Sequence, residues 1–294
     1  MNSCPGVGSE KAGKAESCKG CPNAKICSTA KIDPDIEIIK KKMAHFKLIV
    51  AVMSGKGGVG KSSISKMIAE NLFKSNKTVL VDLDFSGPSI PRLTNTLDQV
   101  VLNPQEEFFP IIMESGMGTI SVGHIHDLTQ NNEDAVIYDG NIKNSLIKIL
   151  FKNCNYKDYD IMVLDTPPNI TDEHLALVHY IQLSCAILVT TPSKLAINDV
   201  NRQFSFCKKT NITVLGIIEN MKNIKCKSCK SVINIHDENL VKSYAINKNI
   251  EYLGSIPLDV SLTQNLDRGL ATNTDEAEEV ISNTVKLLEK NFLQ

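Results

Sequence analysis

Residues 54–63 read Ser-Gly-Lys-Gly-Gly-Val-Gly-Lys-Ser-Ser, directly after the apolar run Lys47-Leu-Ile-Val-Ala-Val-Met53. Gly55-Lys56-Gly57-Gly58-Val59-Gly60-Lys61-Ser62 satisfies G-x-x-x-x-G-K-[ST]. This pairing constrains the chain strongly: a buried strand must deliver the loop and a helix must leave it. The glycines let the backbone turn tightly and aim N–H groups at phosphate oxygens. The following helix adds the positive end of its dipole. Lys61 is placed to reach terminal phosphates, and the Ser62 hydroxyl to ligate Mg²⁺. Gly55 to Ser63 are therefore the candidate nucleotide-binding residues. A Gly-rich turn without a ligand is the bland alternative, and the flanking strand and helix argue against it. A second lysine, Lys56, lies early in the loop, where it can reach phosphates of its own chain or of a facing chain, or simply point to solvent.

The rest of the chain continues this rhythm. Ser62 to Lys74 reads as a helix, with Ile64, Met67, Ile68, Leu72 and Phe73 apolar. Further strands are expected at 78–82, 159–165, 185–190, 213–219 and 250–256. A short charged helix is expected at 33–45 and a closing amphipathic helix at 275–291. Near-continuous apolar strands alternating with helices predict an α/β fold: a mainly parallel sheet with helices on both faces. Residues 1–32 contain almost no large apolar side chains and cannot bury a core unaided. They are expected to form a Cys-rich extension to a 33–294 domain.

Two strands end in acids. Asp82-Leu-Asp84 and Leu164-Asp165-Thr166-Pro167-Pro168 set carboxylates at the carboxyl edge of the sheet, where open α/β folds bind ligands. Beside a phosphate loop, such groups suit water positioning and second-shell Mg²⁺ binding. A lone Asp at a strand end is often only a helix cap.

The nine cysteines are clustered. Cys4, Cys18, Cys21 and Cys27 give C-x13-C-x2-C-x5-C. Four thiolates suit Zn²⁺ or an iron–sulfur cluster, and the single knuckle tilts toward a cluster. Cys226 and Cys229 supply only two ligands, with His236 as a candidate third. They read as half of a site completed by a second chain across a two-fold axis, or as a redox dithiol. Cys154, Cys185 and Cys207 lie in or beside apolar segments and are expected to be ordinary buried residues.

Charge is balanced, 32 basic against 33 acidic residues, so no global field draws the chain to nucleic acid or an anionic membrane. No apolar run approaches the roughly 20 residues that span a bilayer, and residues 1–15 lack a secretory or transit pattern. A cytoplasmic protein is expected, with the nucleus as a second compartment.

These pieces occur together in one family. The sequence resembles the Mrp-like, deviant Walker A P-loop ATPases, of the MinD-like class, and within them the nucleotide-binding protein 35 type of cytosolic iron–sulfur scaffold. The matching segments are 4–27, VMSGKGGVGKSS (52–63), VDLDFSGPSIPRL (81–93), VLDTPPNITDEHLAL (163–177), TPSKLAINDV (191–200), IIENMKNIKCKSC (217–229) and LGSIPLDVSL (253–262). The resemblance implies that Lys56 acts across a dimer, Asp84 orients or activates the attacking water, Asp165 holds Mg²⁺ through water, and Asn220 recognises adenine. It implies a stable 4Fe–4S cluster on the first four cysteines and a labile bridging 4Fe–4S cluster on Cys226 and Cys229. It implies ATP and Mg²⁺ as cofactors, slow ATP hydrolysis, and partners that are a second copy or a second Mrp-like scaffold ATPase, with downstream iron–sulfur carriers and apo-proteins. Two segments depart from the family pattern: Asn169-Ile170-Thr171 replaces Gly-Thr-Ser, and Lys227-Ser228 replaces a proline-containing knuckle. A ParA/MinD-like positioning ATPase and an electron-transfer ATPase like the nitrogenase iron protein share the loop and stand as alternatives.

Overall fold

The computed structural model describes residues 11–21, 24–29, 33–125, 140–226, 229, 231–270 and 274–293. Its centre is β1 (Leu48–Ser54), whose seven residues are all buried. Successive side chains on a strand point to opposite faces. Leu48, Val50 and Val52 therefore pack on one side with Ile64, Ile68 and Leu72 of α3 (Lys61–Phe73) and with Ile281 and Leu288 of α10 (Asp275–Phe292). Ile49, Ala51 and Met53 pack on the other side with Ile39 of α2 (Asp35–Met43) and with Val200 and Phe204 of α7 (Lys194–Lys209). Burial on both faces is why these strands read as unbroken apolar runs.

The expected strands at 78–82, 159–165, 185–190, 213–219 and 250–256 appear as β2 (Thr78–Asp82), β5 (Ile161–Pro168), β6 (Cys185–Thr190), β7 (Val214–Lys225) and β9 (Tyr252–Leu258). With β3 (Ile111–Ile112), β4 (Gly118–Ser121) and β8 (Val232–Asn234), the sheet runs β3-β4-β2-β5-β1-β6-β7-β8, with β9 paired to β7. All pairings are parallel except those of β3 and β8. The closing helix begins with Asp275, Glu276 and Glu278, acids that suit the positive end of its dipole.

Periodicity did not show β3, β4 or β8. β4 reads Gly-Thr-Ile-Ser, with no apolar run, and is buried because it pairs with β2. Its glycine is required by tertiary contact: a Cβ at Gly118 would lie 2.2 Å from the Tyr159 hydroxyl. β8 is exposed throughout and exists as the return strand of a hairpin from β7.

The topology gathers the site. β1 lies between β5 and β6, and β5 lies between β1 and β2. Asp165 is therefore in register with Val52 on one side and Asp82 on the other. The loop after β1 and the acids ending β2 and β5 share one sheet edge.

Candidate phosphate site and cysteine hairpin

The loop from Gly55 to Gly60 is fastened from several elements. The Ser54 carbonyl accepts from Asn169 N (3.0 Å) and from Gln203 Nε2 on α7 (3.2 Å). The Ser54 hydroxyl donates to Lys56 O (3.1 Å). Asn220 on β7 donates from Nδ2 to Val59 O (2.9 Å). Two glycines are sterically required. A Cβ at Gly55 would sit 2.1 Å from the Asp199 carbonyl carbon, so only glycine lets α7 approach. Gly60 has φ 86°, a left-handed conformation that side chains disfavour, and a Cβ there would meet the Asn220 amide at 2.2 Å.

Lys61 opens α3 and points at the acids. Its Nζ donates to Asp165 Oδ1 (2.8 Å) and to Ser62 Oγ (3.3 Å). Ser65, one turn on, donates to the same carboxylate oxygen (2.7 Å). Both Lys61 and Asp165 are buried. Asp165 Oδ2 is buried and has no hydrogen-bond partner among the described residues. An orphaned carboxylate oxygen beside the Ser62 hydroxyl suits a hydrated divalent cation. Lys56 is exposed on the outer turn of the loop.

The two acids after β2 are built differently. Asp82 is fully buried and accepts from Asp84 N (2.9 Å), Ile90 N (3.3 Å) and Ser121 Oγ (3.0 Å). It serves as a girder between β2, β4 and α4 (Ile90–Leu93). Burial, reinforced by the charge of Asp165, pushes its carboxyl up to about 7. Asp84 is half-buried, and its carboxylate accepts from the backbone of Ser86 in its own loop rather than bracing other elements. Burial raises its carboxyl above the usual range, while nearby Lys61 opposes the rise.

A cleft opens on the far side of the loop. Gly60, Ser63, Asn220, Met221, Pro257, Leu258 and Asp259 line it, with Leu262 and Leu266 of α9 (Val260–Asp267) as its floor. Met221 holds φ 55°, a left-handed backbone that is strained for such a side chain. Asn220 thus stands between cleft and loop.

The paired cysteines lie elsewhere. The end of β7 pairs with β8 as a hairpin at the edge of the sheet, and Cys226 N donates to Ser231 O (2.9 Å). Cys226 is half-buried and Cys229 exposed. A hydrogen bond with the Ser231 hydroxyl, 2.9 Å away, lowers the Cys229 thiol to about 7. Among the described residues, no group of three or more metal-binding side chains comes together. His236 does not complete the pair. Cys18 and Cys21 lie on consecutive turns, Cys21 N donating to Cys18 O (3.1 Å). Cys4 and the side chain of Cys27 lie outside the described residues. Cys154, Cys185 and Cys207 are buried as expected, and burial pushes each thiol up to about 12.

Sequence reasoning missed Ser65, Gln203, Lys143 and Glu173. None carries a local pattern. Their places follow from helices that pack against the loop from remote parts of the chain.

A phosphate loop after the central strand, with acids at the ends of neighbouring parallel strands, defines a P-loop nucleoside triphosphatase. Within that class the chain belongs to the ParA family, matching its NUBPL iron-transfer P-loop NTPase model over residues 45–292. It is similar to a nucleotide-binding protein from Archaeoglobus fulgidus, solved in complex with ADP and with cobalt found. The identity is 26%, the TM-score 0.69, and the match covers 82% of this chain and 94% of that one. The fold is also that of the cell division ATPase MinD from Pyrococcus furiosus (19% identity, TM-score 0.60, 83% and 99% covered). The same holds for MinD in the MinC:MinD complex of Aquifex aeolicus (20% identity, TM-score 0.60, 83% and 96% covered). Among the described residues, no helix is long and apolar enough to cross a membrane.

Proposed function

We propose that this chain is an ATP-hydrolysing scaffold that holds a 4Fe–4S cluster between two copies and passes it to apo-proteins. The observation that carries this reading is the course of β7. β7 holds Asn220, bonded to the phosphate loop, and ends at Lys225, next to Cys226 at the base of the cysteine hairpin. Family membership in an iron-transfer group supports the cargo.

Mg²⁺ fits the residues present. Ser62 would ligate it directly and Asp165 through water, and the bound ion would neutralise charge developing on the phosphates. Lys61 leaves Asp165 to hold the terminal phosphates. Asp84, the less girdered acid, orients the attacking water. The cleft beside Gly60 takes the base, with Asn220 at its mouth. Lys56 reaches across to the facing chain. Catalysis is then mostly positioning and electrostatics, and hydrolysis is slow.

A cluster is the cargo rather than part of the ATPase site. One chain offers it two thiols, Cys226 and Cys229, so four-thiolate coordination requires a second copy or a related ATPase. ATP draws the chains together through Lys56, and hydrolysis loosens them and frees the cluster for a downstream carrier. Cys4, Cys18, Cys21 and Cys27 hold a separate, stable cluster.

The test is anaerobic reconstitution with iron and sulfide, followed by iron analysis per dimer. Loss of part of the iron in Cys226→Ala/Cys229→Ala, with the remainder lost on replacing the amino-terminal cysteines, is expected. Unchanged iron in Cys226→Ala/Cys229→Ala overturns the bridging site.

A further inference from the structure

Glu173 is a buried carboxylate that the chemistry above does not use. It lies in the first turn of α6 (Asp172–Tyr180), and its side chain is 1% exposed. Apart from the Lys143 ammonium, neither carboxylate oxygen has a polar partner among the described residues. Its charge partner is Lys143 of α5 (Gly140–Lys148), whose Nζ lies 3.0 Å from Oε1 with the side chain 18% exposed. A buried ionic pair without further hydrogen bonds contributes little to stability and is costly to desolvate. A well-packed apolar pair would serve the fold at least as well.

The placement suggests a use. The loop between Pro168 and α6 is held at both ends. Asn169, at φ 64°, donates its N–H to the base of the phosphate loop at Ser54 O. Thr171 caps α6, its N–H donating to His174 Nδ1 (3.3 Å). His174 itself packs edge-on to Phe206 of α7, ring centroids 5.9 Å apart. The first turn of α6 is thus registered against the phosphate loop, and Glu173 is carried inward with it. Charges face it from two other elements: Lys143 from α5 and Asp84 from the loop after β2. Within α6, His174 is its neighbour.

We propose that Glu173, held by Lys143, is a positioning residue for ATP hydrolysis that fixes Asp84 and the attacking water in line with the terminal phosphate. Repulsion from Glu173 keeps the Asp84 carboxylate turned toward Lys61 and the phosphates, and Lys143 limits the negative charge that the incoming nucleotide meets. α5 thereby becomes part of the hydrolytic machinery although it contributes nothing to the phosphate loop. The inference rests on the reading that ATP is hydrolysed at this site.

The test uses the full chain, with ATP and Mg²⁺ as probes. Steady-state hydrolysis is measured for the wild type and for Glu173→Gln, Lys143→Met and Lys143→Arg, alongside equilibrium binding of ADP. Glu173→Gln keeps the shape and is expected to lower kcat about tenfold or more, as small misplacements of a reacting group do. KM for ATP and ADP affinity should stay within about threefold, because ground-state binding is untouched. Lys143→Met should follow Glu173→Gln, and Lys143→Arg should recover most of the rate. Lys143 is partly exposed, so its variants decide the matter if Glu173→Gln fails to fold. A kcat within about twofold of wild type in Glu173→Gln, or equal damage from Lys143→Met and Lys143→Arg, overturns the proposal and leaves the ATPase reading intact. A wild type that binds ADP but hydrolyses no ATP overturns both.

Discussion

At Asn220, β7 is buried and its side chain is bonded to the phosphate loop; at its other end, Lys225, it is exposed and paired with β8, and past Cys226 the Cys229 thiol faces solvent. The phosphate cradle is fastened within one chain. Its carbonyls are fastened by Asn169, Gln203 and Asn220, and its lysine is paired with a buried acid. The hairpin is the opposite. It supplies two thiols, has no further metal-binding side chain beside it among the described residues, and carries exposed Val232, Ile233 and Ile235. A preorganised cradle suits tight binding of a small, highly charged ligand. An incomplete, exposed site suits a ligand that must be shared and then surrendered.

That contrast can be broken at either end. Cys226→Ala/Cys229→Ala should abolish bridging iron while leaving ADP affinity within about twofold and the melting temperature within about 2 °C, as exposed substitutions usually do. A large loss of ADP affinity, read by calorimetry, would show the two regions to be one site. Lys61→Ala attacks the other end. It removes a charged contact to phosphate worth about 3 kcal/mol, hence on the order of 100-fold in ATP affinity. It also strands Asp165 as a buried unpaired carboxylate, so denaturant unfolding should show about 3 kcal/mol of lost stability. If stability is unchanged, Asp165 is better solvated than its burial indicates.

Asn220→Ala probes the joint between the regions. It deletes the bond to Val59 O, worth about 1 kcal/mol in stability, and should weaken ATP binding about tenfold. If iron release still responds to ATP in this variant, β7 is not the connection. A further effect is a pH dependence on the rigid side. Burial lowers the imidazoles of His174 and His124 to about 4 from an ordinary 6.5. The unfolded chain then binds more protons than the folded one between those values. Stability should therefore fall as pH drops from about 6.5 to about 4. The fall should be shallower in His174→Asn, measured as urea midpoints at pH 7 and pH 5. An equal fall in both proteins would assign the dependence to other groups.

Much of the cradle was legible beforehand because it is local. The strand, the glycines, Lys61 and Ser62 are consecutive, and their chemistry depends on nearest neighbours along the chain. Asp82 and Asp165 were legible as strand-end acids. Their difference from Asp84 was not: Asp82 is consumed by three hydrogen bonds from β4, α4 and its own loop, which no spacing reveals. Lys143 and Glu173 were invisible as a pair, because α5 and α6 meet only in the folded chain.

The sequence by itself determined the alternation of buried strands and helices, the phosphate loop and the presence of a thiol pair, since hydrophobic period and loop chemistry are properties of short segments. Only the tertiary structure decided that β5 inserts between β1 and β2, so that Asp165 meets Lys61, and that Asn220 reaches Val59 across 161 residues. It alone set Cys226 and Cys229 on an open hairpin rather than in the core. Such placements depend on which strands pair and which faces pack, and those contacts form between segments that carry no record of each other along the chain.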